Sequence, residues 1–339
     1  MRGSLATIAL VILLLSGQSA FADDGACRNL STASHDDLLA IPAIGMGEGT
    51  WSPSAKCSSE GLSAADHVCD EKTTIVTDRM LGRNRRMIVV SYVFSKLPLL
   101  YSVHVFGCVA GQVKEVLDYS PGGEEKIEIA QPNKVVVVAP PIAGTNSGGR
   151  QVFNWNSRIQ RYSMEDDEDS DASPALSKTL PCSKLKSAKS QTLIVLANGD
   201  FTDGDGGFPF THGAGCYKDD PQQDICDWQV DIVEDQMINA SRRLIVLNSD
   251  HQSGVGSFGY VYVFGCVAGQ IRTVLGSDVG YGAGVQKVSA DRLTVSTASQ
   301  GAKDPRCCPT IEELMTYEWK SALQNYVLKS VYYHPSRDR

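Results

Sequence analysis

The chain has 339 residues, a formal net charge of −8 and ten cysteines. Its length suits two domains of about 100–200 residues each, and its acidity argues against nucleic acid, which requires clustered Lys and Arg. The same charge aids solubility and names no partner.

In chain order, Met1-Arg2 is followed by an apolar run over 6–15 and by small residues at Ala20 and Ala22. A charged start, a short apolar stretch and an A-x-A site predict a secretory signal peptide over 1–22. The apolar run is shorter than the roughly 20 residues of a membrane span. Nothing after Asp23 is long and apolar enough to cross a bilayer, so the expected mature chain has no membrane span and is secreted or periplasmic.

The strongest internal signal is a repeat. Residues 103–117 read V-H-V-F-G-C-V-A-G-Q-V-K-E-V-L, and 261–275 read V-Y-V-F-G-C-V-A-G-Q-I-R-T-V-L. The match extends upstream, where Arg85-Arg86-Met87-Ile88-Val89 answers Arg242-Arg243-Leu244-Ile245-Val246. Downstream, Trp155 and Tyr162 answer Trp319 and Tyr326. The expected organisation is a first module over 23–164, a linker over 165–181, a second module over 182–330 and a tail over 331–339. The linker opens on Glu165-Asp-Asp-Glu-Asp-Ser-Asp171, an acidic run with too little apolar surface to fold.

Within each module the apolar runs are short and rich in β-branched residues, as in Met87-Ile-Val-Val and Val135-Val-Val-Val138. Others alternate, as in Lys126-Ile-Glu-Ile129 and Tyr260-Val-Tyr-Val-Phe264, which is the period of half-buried strands. Gly and Asn/Asp clusters punctuate them. The expected fold class is mainly β: two tandem copies of an antiparallel sheet module, sandwich or barrel-like, with a few short helices. The best helix candidates are 57–67 and 311–317.

The cysteines follow the repeat. Cys27, Cys57, Cys69 and Cys108 fall in the first copy, and Cys182, Cys216, Cys226 and Cys266 in the second. Four cysteines allow three connectivities in each copy; the pairing taken forward is Cys57–Cys69 with Cys27–Cys108, and Cys216–Cys226 with Cys182–Cys266. The long separations argue against a cysteine zinc site. Cys307 and Cys308 have no counterpart in the first copy and are either adjacent thiols or a strained vicinal disulfide, which would permit a redox role, although exported cysteines are usually structural and a bracing pair or inert buried thiols is the favoured reading.

Candidate chemistry is sparse. There is no G-x-S-x-G elbow and no H-E-x-x-H, and the six histidines are scattered; His104 is replaced by Tyr262 in the second copy, as a packing position would allow. Asn198, Asp200, Asp203 and Asp205 lie among glycines and could collect a hard cation such as calcium, although the run fails the EF-hand pattern and also suits a surface loop. No other cofactor is expected. Arg85, Arg86, Arg242 and Arg243 could hold an anion through forked guanidinium groups, or sit in the turn before a strand.

The end of the second copy, Arg306-Cys307-Cys308-Pro309-Thr310 followed by Tyr317-Glu-Trp319, resembles the LppP/LprE-type envelope lipoproteins and related exported bacterial proteins. The resemblance covers about the last third of the chain. It implies an envelope or periplasmic setting and a β-rich domain, and it brings no catalytic residues. The lipid-anchoring cysteine of that pattern is missing here, and the first copy lacks C-C-P-T. The expectation is an exported binding or structural module, its partner an envelope protein or glycan. The alternatives are an exported hydrolase whose site assembles in space and a redox-responsive protein using Cys307 and Cys308.

Overall fold

The computed structural model describes residues 25–41, 56–59, 62, 69, 72–93, 100–120, 126–139, 149–158, 160–165, 179–198, 215–217, 228–251, 256–299, 304 and 309–336, and the structural statements below concern these. The fold is mainly β. The first half contains α1 (Gly25–Asn29), α2 (His35–Leu39), β1 (Lys56–Ser59), β2 (Lys72–Met80), β3 (Arg85–Val93), β4 (Leu100–Val109), β5 (Gln112–Tyr119), β6 (Lys126–Gln131), β7 (Lys134–Ala139), β8 (Gly149–Asn156) and β9 (Arg161–Met164). The second half contains a 3-10 turn (Cys182–Lys184), α3 (Ser190–Asn198), β10 (Gly215–Tyr217), β11 (Trp228–Asn239), β12 (Arg242–His251), β13 (Gly256–Val267), β14 (Gln270–Val288), β15 (Arg292–Ser299), β16 (Ile311–Lys320) and β17 (Asn325–Pro335).

Strands β2-β3-β4-β5 form one four-stranded sheet and β6-β7-β8-β9 another. The second half, joined by β1, forms a nine-stranded sheet in the order β1-β17-β16-β15-β14-β13-β12-β11-β10. Among the described residues no sheet closes into a barrel. Every pairing of these strands is antiparallel except β1 with β17, which run parallel.

Side-chain alternation along these strands gives both halves an apolar face on either side of the sheet. Met87, Val89, Val103 and Val105 pack against Val135, Val137, Phe153 and Tyr162, which closes β2–β5 onto β6–β9 as a sandwich. In the second half Leu244, Val246, Val261 and Val263 share one core with Val295, Met315, Tyr317 and Tyr326. The nine-stranded sheet therefore folds onto itself, and β14, 19 residues long, carries the bend. Its register slips between Tyr281 and Gly284 and again between Val285 and Lys287.

The opposite faces are covered by the short helices. Ile88, Val90, Phe106 and Val113 pack against Leu30, Leu38 and Leu39. Ile245, Tyr262, Phe264 and Ile271 pack against Leu185, Leu193 and Ile194. Cys27 meets Cys108 and Cys182 meets Cys266 at Cα separations of 5.4 and 5.3 Å, tying each helical segment to the end of its sheet. Cys57 and Cys69 lie 5.4 Å apart. These are the pairs expected from the spacing; Cys226 lies outside the described residues, and with it the expected bridge to Cys216.

Neither helix candidate is helical where it is described. Lys56–Ser59 and Ile311–Lys320 are strands. The i, i+4 spacing of Ile311 and Met315 imitates a helix. Strand β16, however, has β15 on one side and β17 on the other, and this two-sided ladder outweighs a weak local preference.

The two halves are joined by buried polar contacts as well as by apolar packing. Leu323 and Val327 enter the core formed by α1, α2 and the β2–β5 sheet. Gln112, 1 % exposed, donates from Nε2 to the Thr273 carbonyl (3.0 Å), the Gln324 carbonyl (3.1 Å) and Asn325 Oδ1. Asn325 in turn donates to the Val113 carbonyl. Lys320 and Lys329 both approach Asp37, at 3.2 and 3.5 Å. Replacing one amide strands its partner's buried polar atoms, at about 1–3 kcal/mol. Asn325→Ala is therefore expected to lower stability by about that amount. In urea, Trp155 and Trp319 fluorescence should shift to the lower midpoint together, because the junction serves both halves.

Candidate functional site

The paired arginines are divided in labour, and in the same way in each half. Arg85 places its guanidinium carbon 3.5 Å from the Trp155 ring centroid, and Arg242 places its own 4.3 Å from that of Trp319. Each tryptophan meets a tyrosine edge-on, Tyr162 or Tyr326, at 5.4 Å. Burial raises the pKa of both tyrosines, the neighbouring arginine opposing it. These are cation-π stacks, whose tryptophans pack at the edge of the two cores.

The second arginine of each pair is a clamp. Arg86 forms a forked pair with Asp78 (2.6 Å on both arms) and donates to the Leu30 and Ala33 carbonyls. Arg243 forms the same fork with Asp235 (2.7 Å on both arms) and donates to the Leu185 and Ala188 carbonyls. The donors that would hold an anion are thus engaged with the chain itself. Burial alone would raise the Asp235 carboxyl, but hydrogen bonds from Arg243 and Ser190 and the Arg243 charge hold it below the usual carboxylate value. The calcium candidates Asp200, Asp203 and Asp205, the side chain of Asn198, and Cys307 and Cys308 lie outside the described residues.

Among the described residues, one cluster gathers three metal-capable side chains: His104, Glu115 and Asp118, with ligand atoms all within 4.8 Å of one another. Sequence spacing hides it. His104 is on β4 and the carboxylates are on β5, three positions apart, which a regular strand would point to opposite faces. A bulge removes the conflict. Val105 pairs with Leu117 and Phe106 with Glu115, leaving Val116 as the extra residue. Glu115 and Asp118 then share the face of His104. The Val116 side chain folds over Gly107, where a Cβ would stand 3.2 Å from both its methyl carbons. The turn beyond, Ala110-Gly111 at φ 50° and 81°, is the two-residue hairpin that needs positive φ at both positions.

Within the cluster, His104 Nδ1 lies 2.6 Å from Glu115 Oε1 and 3.5 Å from Asp118 Oδ1. Its Nε2 lies 2.6 Å from Ser102 Oγ, which donates to Tyr92 Oη at 3.1 Å. The three ligand side chains are 11–16 % exposed. Burial, reinforced by the Asp118 charge, raises the Glu115 pKa, and His104 opposes it. Asp118 Oδ1 is buried and has no hydrogen-bond partner, its contact with His104 being an ion-pair distance only. Ser102, His104 and Glu115 stand in the order of a nucleophile, base and orienting acid, yet Ser102 is 1 % exposed. A substrate has no approach to its hydroxyl.

The second half repeats the backbone and not the chemistry. The same slip between Val263 and Phe264 leaves Val274 as the extra residue, over Gly265. Tyr262, Thr273 and Gly276 occupy the positions of His104, Glu115 and Asp118, and Tyr262 is 1 % exposed. The fold is therefore satisfied by an aromatic ring where the first half places three ionisable groups. A separate acid, Glu313, has its pKa raised by burial to about 7 and accepts from Tyr333 Oη at 3.1 Å. No family model matches the chain, and no curated protein matches it.

Arg86→Ala and Arg243→Ala are each expected to cost about 1.5–3 kcal/mol, the worth of hydrogen bonds to a charged group. Losses of similar size in chemical denaturation would follow from their matched forks and carbonyls, Arg243 having Ser190 as a further partner. For Glu313, a folded pKa above the unfolded value means that the native state holds the proton more tightly. Its stabilising contribution is full below the unfolded value near 4.5 and is lost as pH rises towards about 7. Glu313→Gln should therefore match the parent at pH 4 and exceed it by about 1–3 kcal/mol at pH 8, read from urea midpoints across that range.

Proposed function

We propose that this chain is an exported, disulfide-braced protein made of two copies of one β module, and that it acts by binding or structural interaction at the cell envelope. The observation that carries the non-enzymatic reading is the burial of Ser102. Among the described residues it is the hydroxyl aligned with a histidine and an acid, and it is 1 % exposed beneath Tyr92 and His104. Three cysteine pairs at disulfide distance support an oxidising compartment. No helix among the described residues is long and apolar enough to cross a membrane. The repeat supports duplication, since matched arginines make matched stacks and clamps. An envelope protein or glycan is the partner this setting suggests, in keeping with the resemblance of the C-C-P-T region to envelope lipoproteins.

The test is thermal melting of the oxidised protein against envelope glycans and peptides, with ester hydrolysis followed in parallel. A ligand at a hundred times its Kd adds about 2.7 kcal/mol, so a true partner should raise the melting point by at least about 2 °C while no turnover is seen. Hydrolysis abolished by Ser102→Ala would contradict the reading and establish the hydrolase alternative.

A further inference from the structure

We propose that His104, Glu115 and Asp118 form a binding site for one divalent transition-metal ion of the zinc class, confined to the first of the two modules. Four observations carry it. The donor set is one imidazole nitrogen and two carboxylate oxygens, drawn together by a bulge that turns Glu115 and Asp118 to one face. An imidazole suits zinc and its neighbours, whereas calcium and magnesium take oxygen ligands.

Second, the imidazole is already oriented. Its Nε2 is held by Ser102, which is held by Tyr92, so Nδ1 faces the carboxylates. Metal-binding histidines have this outer partner on the remote nitrogen, fixing ring orientation and tautomer. Third, the two distances from His104 lie on either side of the one required. Bonds of about 2.0–2.2 Å in a tetrahedral site place neighbouring ligand atoms about 3.3 Å apart. His104 Nδ1 and Asp118 Oδ1 are 3.5 Å apart, and His104 Nδ1 and Glu115 Oε1 would open from 2.6 Å as the ion replaces the proton between them. Three protein ligands leave a fourth position for water, the count of an open zinc site.

Fourth, folding does not require these groups. On the same bulged hairpin the second module has Tyr262, Thr273 and Gly276, with Tyr262 packed in its apolar core. Two carboxylates brought beside each other at a largely buried position need compensating positive charge; His104 and Arg161 supply part of it at Glu115, and Asp118 Oδ1 still lacks a hydrogen-bond partner. A bound divalent ion would resolve both.

The experiment is calorimetric titration of Zn2+ alone into the EDTA-treated, oxidised, untagged full mature chain, with any free thiols alkylated so that Cys307 and Cys308 cannot bind. One equivalent is expected. Glu115→Gln and Asp118→Asn are near-isosteric and should each weaken that equivalent by more than about tenfold. The triple change His104→Tyr, Glu115→Thr, Asp118→Gly installs the second module's own residues and should remove it, with the circular dichroism of the folded protein retained. Absence of Zn2+ binding to the parent overturns the proposal. So does an equivalent that survives in Glu115→Gln and Asp118→Asn, since the ion then sits elsewhere.

Discussion

The arrangement rests on a single backbone irregularity used twice. A β-bulge at Val116, and again at Val274, adds one residue to the strand after the F-G-C motif, and its valine closes over a glycine that has no Cβ to oppose it. The bulge turns both Val116 and Leu117 to the sandwich core beside Val103 and Val105 and leaves positions 115 and 118 on one face. Without the extra residue, Asp118 would follow ordinary alternation to the face opposite Glu115. The polar cluster is thus a consequence of how the sandwich is bent.

Around this hairpin, the two halves share a mechanical plan. A disulfide ties the N-terminal segment to the strand end, and a forked Arg–Asp pair collects two carbonyls from that same segment. The other arginine lies on a tryptophan. Stability is therefore delivered by equivalent devices in both halves, which leaves the face beside the helices free to diverge. It has done so: one half fills it with Tyr262, the other with His104, Glu115 and Asp118. The halves are also fused, since Gln112 donates to Asn325, Asn325 donates to the Val113 carbonyl, and β1 extends the far sheet.

Much of the fold was legible in the sequence because it is written in local patterns. The alternating and β-branched runs at 87–93, 126–129 and 260–264 are strands, and the cysteine order carried three pairings. What misled was period. Ile311 and Met315 have helical spacing, yet β16 is held between two neighbours. The site was less visible, for the same reason. His104 read as a packing position because its counterpart is Tyr262; Glu115 and Asp118 drew no notice, since regular alternation puts residues three apart on opposite faces and a bulge cannot be seen in the spacing of two acids. The one available signal was the joint change at three positions, His104 to Tyr262, Glu115 to Thr273 and Asp118 to Gly276, inside an otherwise near-identical motif. The paired arginines stood out by repetition, and in each pair one of them, Arg86 or Arg243, spends its donors on carbonyls and a carboxylate within the chain.

The most direct test of this account is anomalous diffraction at the zinc edge from crystals of the oxidised protein equilibrated with Zn2+. A peak is expected within bonding distance, about 2.0–2.2 Å, of His104 Nδ1 and of one oxygen each from Glu115 and Asp118, with no peak beside Tyr262. No density between these three side chains, with Glu115 still paired to His104 in the presence of the ion, would contradict it and leave the cluster as a buried hydrogen-bonded network.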